Sequence, residues 1–135
     1  MIKVIALDIY GTILATDDFE NRLSPRKGTE EFFEKCSAKE IKVVAASDAN
    51  SDLVKIDLQE SGVKLSRFDR FYELKDAPKD FSSILEDYSI EASELLVIGD
   101  SDKDILGAKR INAKYFRVPE YKGLGDKFNL KNLEF

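Results

Sequence analysis

Asp8 stands directly behind the apolar run Val4-Ile5-Ala6-Leu7 and is followed by Ile9-Tyr10-Gly11-Thr12. A short buried-strand pattern that ends in an acid and turns on Gly-Thr puts a carboxylate at a strand's carboxyl end. Open α/β sheets bind their ligands there. Leu95-Leu96-Val97-Ile98-Gly99-Asp100 repeats the arrangement far along the chain, and Asp102 and Asp104 follow at once. Two such clusters on one sheet can converge on one cation. The chain has no histidine, which excludes Ser-His and Cys-His catalysis and most zinc sites. Carboxylates, lysine, serine, threonine and tyrosine are left for any chemistry.

Those acids need a sheet to hold them. Residues 2–7 read as a buried strand, and residues 13–27, with Asp17-Asp18 and Ser24-Pro25, as a polar loop or small flap. Phe32, Phe33 and Cys36 fall at helical spacing between Thr29 and Lys39, with Thr29 as the cap. Residues 41–46 read as a second strand. A helix over 49–61 points Leu53, Ile56 and Leu58 inward and stops at Gly62. Strands over 71–74, 95–98 and 115–118 then alternate with helices over 78–88 and 102–111. That alternation predicts an α/β fold with a doubly wound parallel sheet, Rossmann-like, in one domain spanning 1–135.

Apolar residues make up 43% of the 135 and charged residues 35%, the balance of a soluble globular chain. No apolar run approaches the length of a membrane span, and the immediate entry into a strand leaves no room for a signal peptide. The lone Cys36 allows no internal disulfide, fits a cytoplasmic protein, and reads as a packing residue. A net charge of −5 argues against a nucleic-acid surface. Asp100-x-Asp102-x-Asp104 imitates a calcium loop, but Ile105 and Ile111 occupy the positions that would need Gly and Glu.

Four segments together resemble the haloacid dehalogenase superfamily of hydrolases over nearly the whole chain. Asp8-Ile9-Tyr10-Gly11-Thr12 is similar to the family's first motif and Ser47, closing a strand, to its second. The third motif supplies a lysine within Lys75-Asp76-Ala77-Pro78-Lys79-Asp80-Phe81; Lys75 is the preferred candidate and Lys79 its competitor. Gly99-Asp100-Ser101-Asp102-Lys103-Asp104 is similar to the fourth. The resemblance implies a three-layer α/β/α fold without a large cap and a phosphohydrolase that uses Mg2+. It implies Asp8 as nucleophile and metal ligand, joined by Asp100, Asp104 and the backbone carbonyl of Tyr10. Ser47 and Lys75 would hold the phosphoryl group, with Gly11, Thr12 and Asp48 lining the substrate.

Tyr10 departs from the phosphatase pattern, which carries a second Asp there as general acid and base. A free phenol, with a pKa near ~10, shuttles protons poorly at neutral pH. Aryl or acyl phosphates, whose leaving groups need no proton, are therefore the expected substrates. Two other readings stand beside this one: a non-catalytic module that binds a phosphorylated ligand, and a 2-haloacid dehalogenase. The latter family members carry Tyr at this place but lack the acids of the fourth motif. Without a cap the site is open, so the phosphorylated substrate can be a small molecule or a macromolecule, and a homo-oligomer could supply a lid. Phe19, Arg22, Arg26 and Lys27 are the flap residues placed nearest the leaving group.

Overall fold

The computed structural model describes residues 1–16 and 24–135. Three of the predicted strands are built on continuous apolar runs, and such runs belong in the middle of a parallel sheet covered on both faces. The strands are β1 (Val4–Leu7), β2 (Lys42–Ser47), β3 (Arg70–Glu73), β4 (Leu95–Gly99) and β5 (Lys114–Arg117). They form one sheet in the order β3-β2-β1-β4-β5, and every pair is parallel. Val4 is in register with Lys42 on one side and with Leu95 on the other, so β1 lies at the centre.

Side chains alternate between the two faces of a strand, and the core divides accordingly. Ile5, Leu7, Val43, Ala45, Leu96 and Ile98 pack on one face with α1 (Thr29–Ala38), α2 (Ser51–Ser61) and the tail residues Leu130 and Leu133. Val4, Ala6, Val44, Ala46, Leu95 and Val97 pack on the other with Phe81, α3 (Ser82–Tyr88) and α4 (Asp102–Arg110). The result is three layers, α/β/α. Only residues 8–28 join β1 to α1 and only residues 74–81 join β3 to α3, so no large cap sits over the sheet. Among the described residues no helix is long and apolar enough to cross a membrane.

Three local expectations need correction. The N-cap of α1 is Gly28, at φ 85°, while the Thr29 hydroxyl donates to the Arg26 carbonyl. In α2 the stripe that goes inward is Val54 and Leu58; Leu53 and Ile56 are half exposed. The helix carries two apolar stripes, and only the Val54–Leu58 pair, one turn apart, faces the sheet. The third helix begins at Ser82 rather than Pro78, because the chain bends at 76–78 and takes up helical geometry only after Phe81.

Candidate active site

From β1 the chain builds the sheet outward to β2 and β3 and then returns to the other side for β4 and β5, so the order switches between the central β1 and its neighbour β4. Both end at the same edge, and the backbone that follows them diverges and leaves a crevice. Asp8 follows β1 and Asp100 follows β4, so the crevice receives a carboxylate from each side. Asp104, in the first turn of α4, is 1% exposed and completes the group. Carboxylate oxygens of Asp8, Asp100 and Asp104 lie within 4.8 Å of one another.

Two glycines permit this crowding. Gly11 has a φ of +87°, and a Cβ there would stand 2.5 Å from Asp100 Oδ2. A Cβ on Gly99 would stand 2.4 Å from the Asp104 carboxylate. Thr12 Oγ1 donates to Asp8 Oδ2 at 3.0 Å and lies 3.4 Å from Asp100 Oδ1, which links the two strand ends. Ser101 Oγ donates to Asp104 Oδ2 at 2.9 Å.

Lys79, not Lys75, is the lysine of the cluster. Its Nζ donates to Asp8 Oδ1 at 2.9 Å, to Asp104 Oδ1 at 2.6 Å and to the Ala46 carbonyl at 2.8 Å, and the residue is 2% exposed. Lys75 directly follows β3 and Leu74, and β3 is an edge strand with β2 between it and β1. Among the described residues its exposed ammonium reaches the Asp48 carbonyl, at 3.4 Å, and Glu73, at 3.8 Å. The segment after Pro78 instead comes back toward α4, where the Lys79 N–H donates to the Lys103 carbonyl at 3.0 Å. Gly107 makes room for it: a Cβ there would lie 2.3 Å from the Lys79 carbonyl oxygen.

Burial is the largest influence on Asp8. It raises the carboxyl to about 7, with Asp100 beside it adding to the rise and Lys79 opposing it. Burial likewise raises Asp104, with the Asp8 charge reinforcing it. Burial works against the Lys79 charge, but Asp8 and Asp104 outweigh it and hold the ammonium above its ordinary value. Three acids around one lysine leave uncompensated negative charge, and an all-oxygen donor set is suited to a hard divalent cation. The cluster can hold a metal ion.

The remaining predicted residues divide. Ser47 is buried at the end of β2, and its Oγ accepts from the Ala49 N–H at 3.1 Å. Asp48 pairs with Lys103 at 3.0 Å, which keeps its carboxyl below the usual range. The Gly11 N–H donates to the Leu14 carbonyl and the Thr12 N–H to that of Ile9. Both amides are thus engaged within their own turn instead of pointing at a ligand, and Thr12 enters the site through its hydroxyl. Tyr10 is half-buried, and its phenol donates to Asp57 Oδ2 of α2 at 2.5 Å. Burial first, and then Asp57, push the phenol well above its ordinary pKa. Arg26 is 1% exposed and ion-paired to Asp126, so it is not a flap residue facing a leaving group. Lys27 is exposed; Phe19 and Arg22 lie outside the described residues. Sequence reasoning missed Asp57 and the two close-approach glycines, 99 and 107, whose roles appear only when the partners across them are placed.

A family profile described as haloacid dehalogenase-like hydrolase matches residues 15–112. No curated protein sequence matches the chain. Among solved structures, an uncharacterized protein from Listeria monocytogenes serotype 4b is 20% identical, with a TM-score of 0.69 over 84% of this chain and 76% of its own. A candidate beta-phosphoglucomutase from Thermotoga maritima is 14% identical, with a TM-score of 0.72 over 93% and 88%. The L-2-haloacid dehalogenase of Xanthobacter autotrophicus, with chloropropionic acid covalently bound, is 13% identical, with a TM-score of 0.70 over 87% and 78%. These likenesses concern the fold, and they span more than one chemistry. The profile covers well over half of the sequence, and the chain belongs to the haloacid dehalogenase-like hydrolases.

Proposed function

We propose that the protein is a Mg2+-dependent phosphohydrolase that works through an aspartyl-phosphate on Asp8. The supporting observation is the buried Asp8–Asp100–Asp104 cluster with Lys79 bound to two of its members. Asp8, Asp100, Asp104 and the Tyr10 backbone carbonyl would hold the ion. Bound magnesium supplies positive charge that lets an anionic phosphate ester come close to an anionic nucleophile.

Both oxygens of Asp8 are already engaged, Oδ1 by Lys79 and Oδ2 by Thr12, which fixes the plane of the carboxylate. An Asp8 oxygen attacks phosphorus; the bond from phosphorus to the leaving oxygen breaks, and that oxygen departs with the electron pair. Water then attacks phosphorus, the Asp8–phosphorus bond breaks, and inorganic phosphate leaves with Asp8 restored. Lys79 takes the charge-neutralising role expected of Lys75. Ser47 accepts from Ala49 and so retains its own proton for a phosphoryl oxygen.

Tyr10 supplies no proton relay in this scheme, because its phenol is committed to Asp57 and holds its proton tightly. Absence of a general acid and base costs about 10²–10⁴-fold in rate. Aryl and acyl phosphates tolerate that loss, and the phosphoenzyme persists. The same Tyr10–Asp57 bond supports a second reading, a module that binds a phosphorylated ligand and barely turns over. Asp100 and Asp104 argue against dehalogenation, which needs no metal acids. A cytoplasmic location accords with the buried free thiol of Cys36.

The test is pre-steady-state hydrolysis of an aryl phosphate, with and without Mg2+, in wild type and Asp8→Asn. A Mg2+-dependent burst that vanishes in the variant is expected. Turnover no higher than that of Asp8→Asn would reject the enzyme in favour of the binding module.

A further inference from the structure

Both carbonyls of the turn that follows Asp8 are held from outside it. The Tyr121 N–H donates to the Gly11 carbonyl at 2.7 Å. Arg26 Nη1 donates to the Thr12 carbonyl at 3.3 Å. Arg26 then forks onto Asp126, with Nε to Oδ2 at 3.1 Å and Nη2 to Oδ1 at 2.8 Å. The rings of Tyr121 and Phe128 flank the guanidinium, their centroids 5.3 Å and 4.8 Å from Cζ. Beyond them the Leu130 N–H donates to the Lys27 carbonyl at 2.9 Å. The chain crosses there at Gly28, where a Cβ would stand 2.0 Å from Asn129 Oδ1.

An arginine that is 1% exposed is costly to bury unless its geometry is well satisfied, and a bidentate carboxylate satisfies it. We propose that Arg26 and Asp126 are a clamp through which the 121–126 strap fixes the Gly11–Thr12 turn, making Arg26 a positioning residue for Asp8 and Asp100. The proposal rests on the phosphohydrolase reading for its catalytic consequence. Its structural logic is local. Thr12 Oγ1 contacts both Asp8 and Asp100, and Gly11 is packed against Asp100. A turn released from the strap changes the spacing of those carboxylates, and a shift of about 1 Å at reacting groups can cost about 10²-fold in rate.

Asp126→Asn keeps the shape of the clamp and removes its charge; Arg26→Lys keeps the charge and removes the fork. Native-state hydrogen exchange and aryl-phosphate kinetics are measured on both, so that one poorly folding variant does not decide the matter. Exchange at the Thr12 and Ile13 amides is expected to quicken about 10-fold while β1 and β4 amides stay protected. Turnover (kcat) is expected to fall about 10- to 100-fold with KM little changed. Unchanged exchange at the turn, or a uniform rise across β1 and β4, overturns the clamp. A released turn with unaltered kcat overturns its catalytic role. If wild type shows no Asp8-dependent turnover, the phosphohydrolase reading falls, and the exchange comparison still decides whether the strap holds the turn.

Discussion

Removing the ammonium of Lys79 leaves Asp8 and Asp104 as buried carboxylates without a counter-charge. Breaking a buried ion pair on one side costs about 3–5 kcal/mol. Lys79→Met is therefore expected to lose that much stability in urea unfolding at neutral pH and to abolish phosphate release. Lys75→Ala, a change at an exposed side chain, is expected to stay within about 0.5 kcal/mol of wild type and to keep its activity. Equal damage from both would contradict the placement of Lys79. Tyr10→Asp offers a proton donor where a phenol now faces Asp57. Alkyl-phosphate hydrolysis should rise about 100-fold or more, and no gain would show that the missing acid is not what limits the rate. Asp8 and Asp100 were readable because each follows an apolar strand, and strand direction fixes where such residues gather; Asp104 was readable from its place just after Asp100, at the start of the next helix. The lysine was not, because the 74–81 connection doubles back and four positions separate an exposed side chain from a buried one.

Gly107 shows how one residue of α4 governs a side chain it never touches. A Cβ at this position meets the Lys79 carbonyl oxygen and the Phe81 ring, at 2.3 Å and 2.8 Å. Neither the backbone nor a fully buried ring can yield cheaply. Gly107→Ala is expected to cost about 1–3 kcal/mol by overpacking and to lower kcat by pushing Lys79 off Asp8; kcat equal to wild type would refute the link. Element order and type were legible from apolar runs and helical spacing. Which face of α2 packs was not: Leu53, Val54, Ile56 and Leu58 give two stripes, and the sheet selects one of them. The start of α1 was misplaced for a different reason. Thr29 has the right chemistry for a cap, but the tail crossing at Gly28 sets the backbone there instead.

Across the whole molecule, the acid cluster ties stability to pH and, through the proposed ion, to metal. Asp8 is raised to about 7 chiefly by burial, and Asp104 is raised for the same reason. The folded state therefore holds those protons more tightly than the unfolded chain. The Asp8 contribution is fully present below about pH 4 and is lost as pH climbs through about 7, and Asp104 acts in the same direction. A metal-free sample should show this cluster's share of the stability declining over that range, and Mg2+, which favours the charged carboxylates, should raise Tm more at pH 8 than at pH 5. A Mg2+ effect independent of pH would count against the cluster as the site. The sheet order has a further consequence, for synthesis. β1, β2 and β3 can pair as soon as they are made, but the other side of β1 waits for β4, about 90 residues after β1 in sequence. Until then Val4–Leu7 is a bare apolar edge of the kind that seeds aggregation. A nascent or truncated chain stopping short of Leu95 carries Asp8 beside that edge, so completing the acid cluster and sealing the most vulnerable border of the sheet are one event.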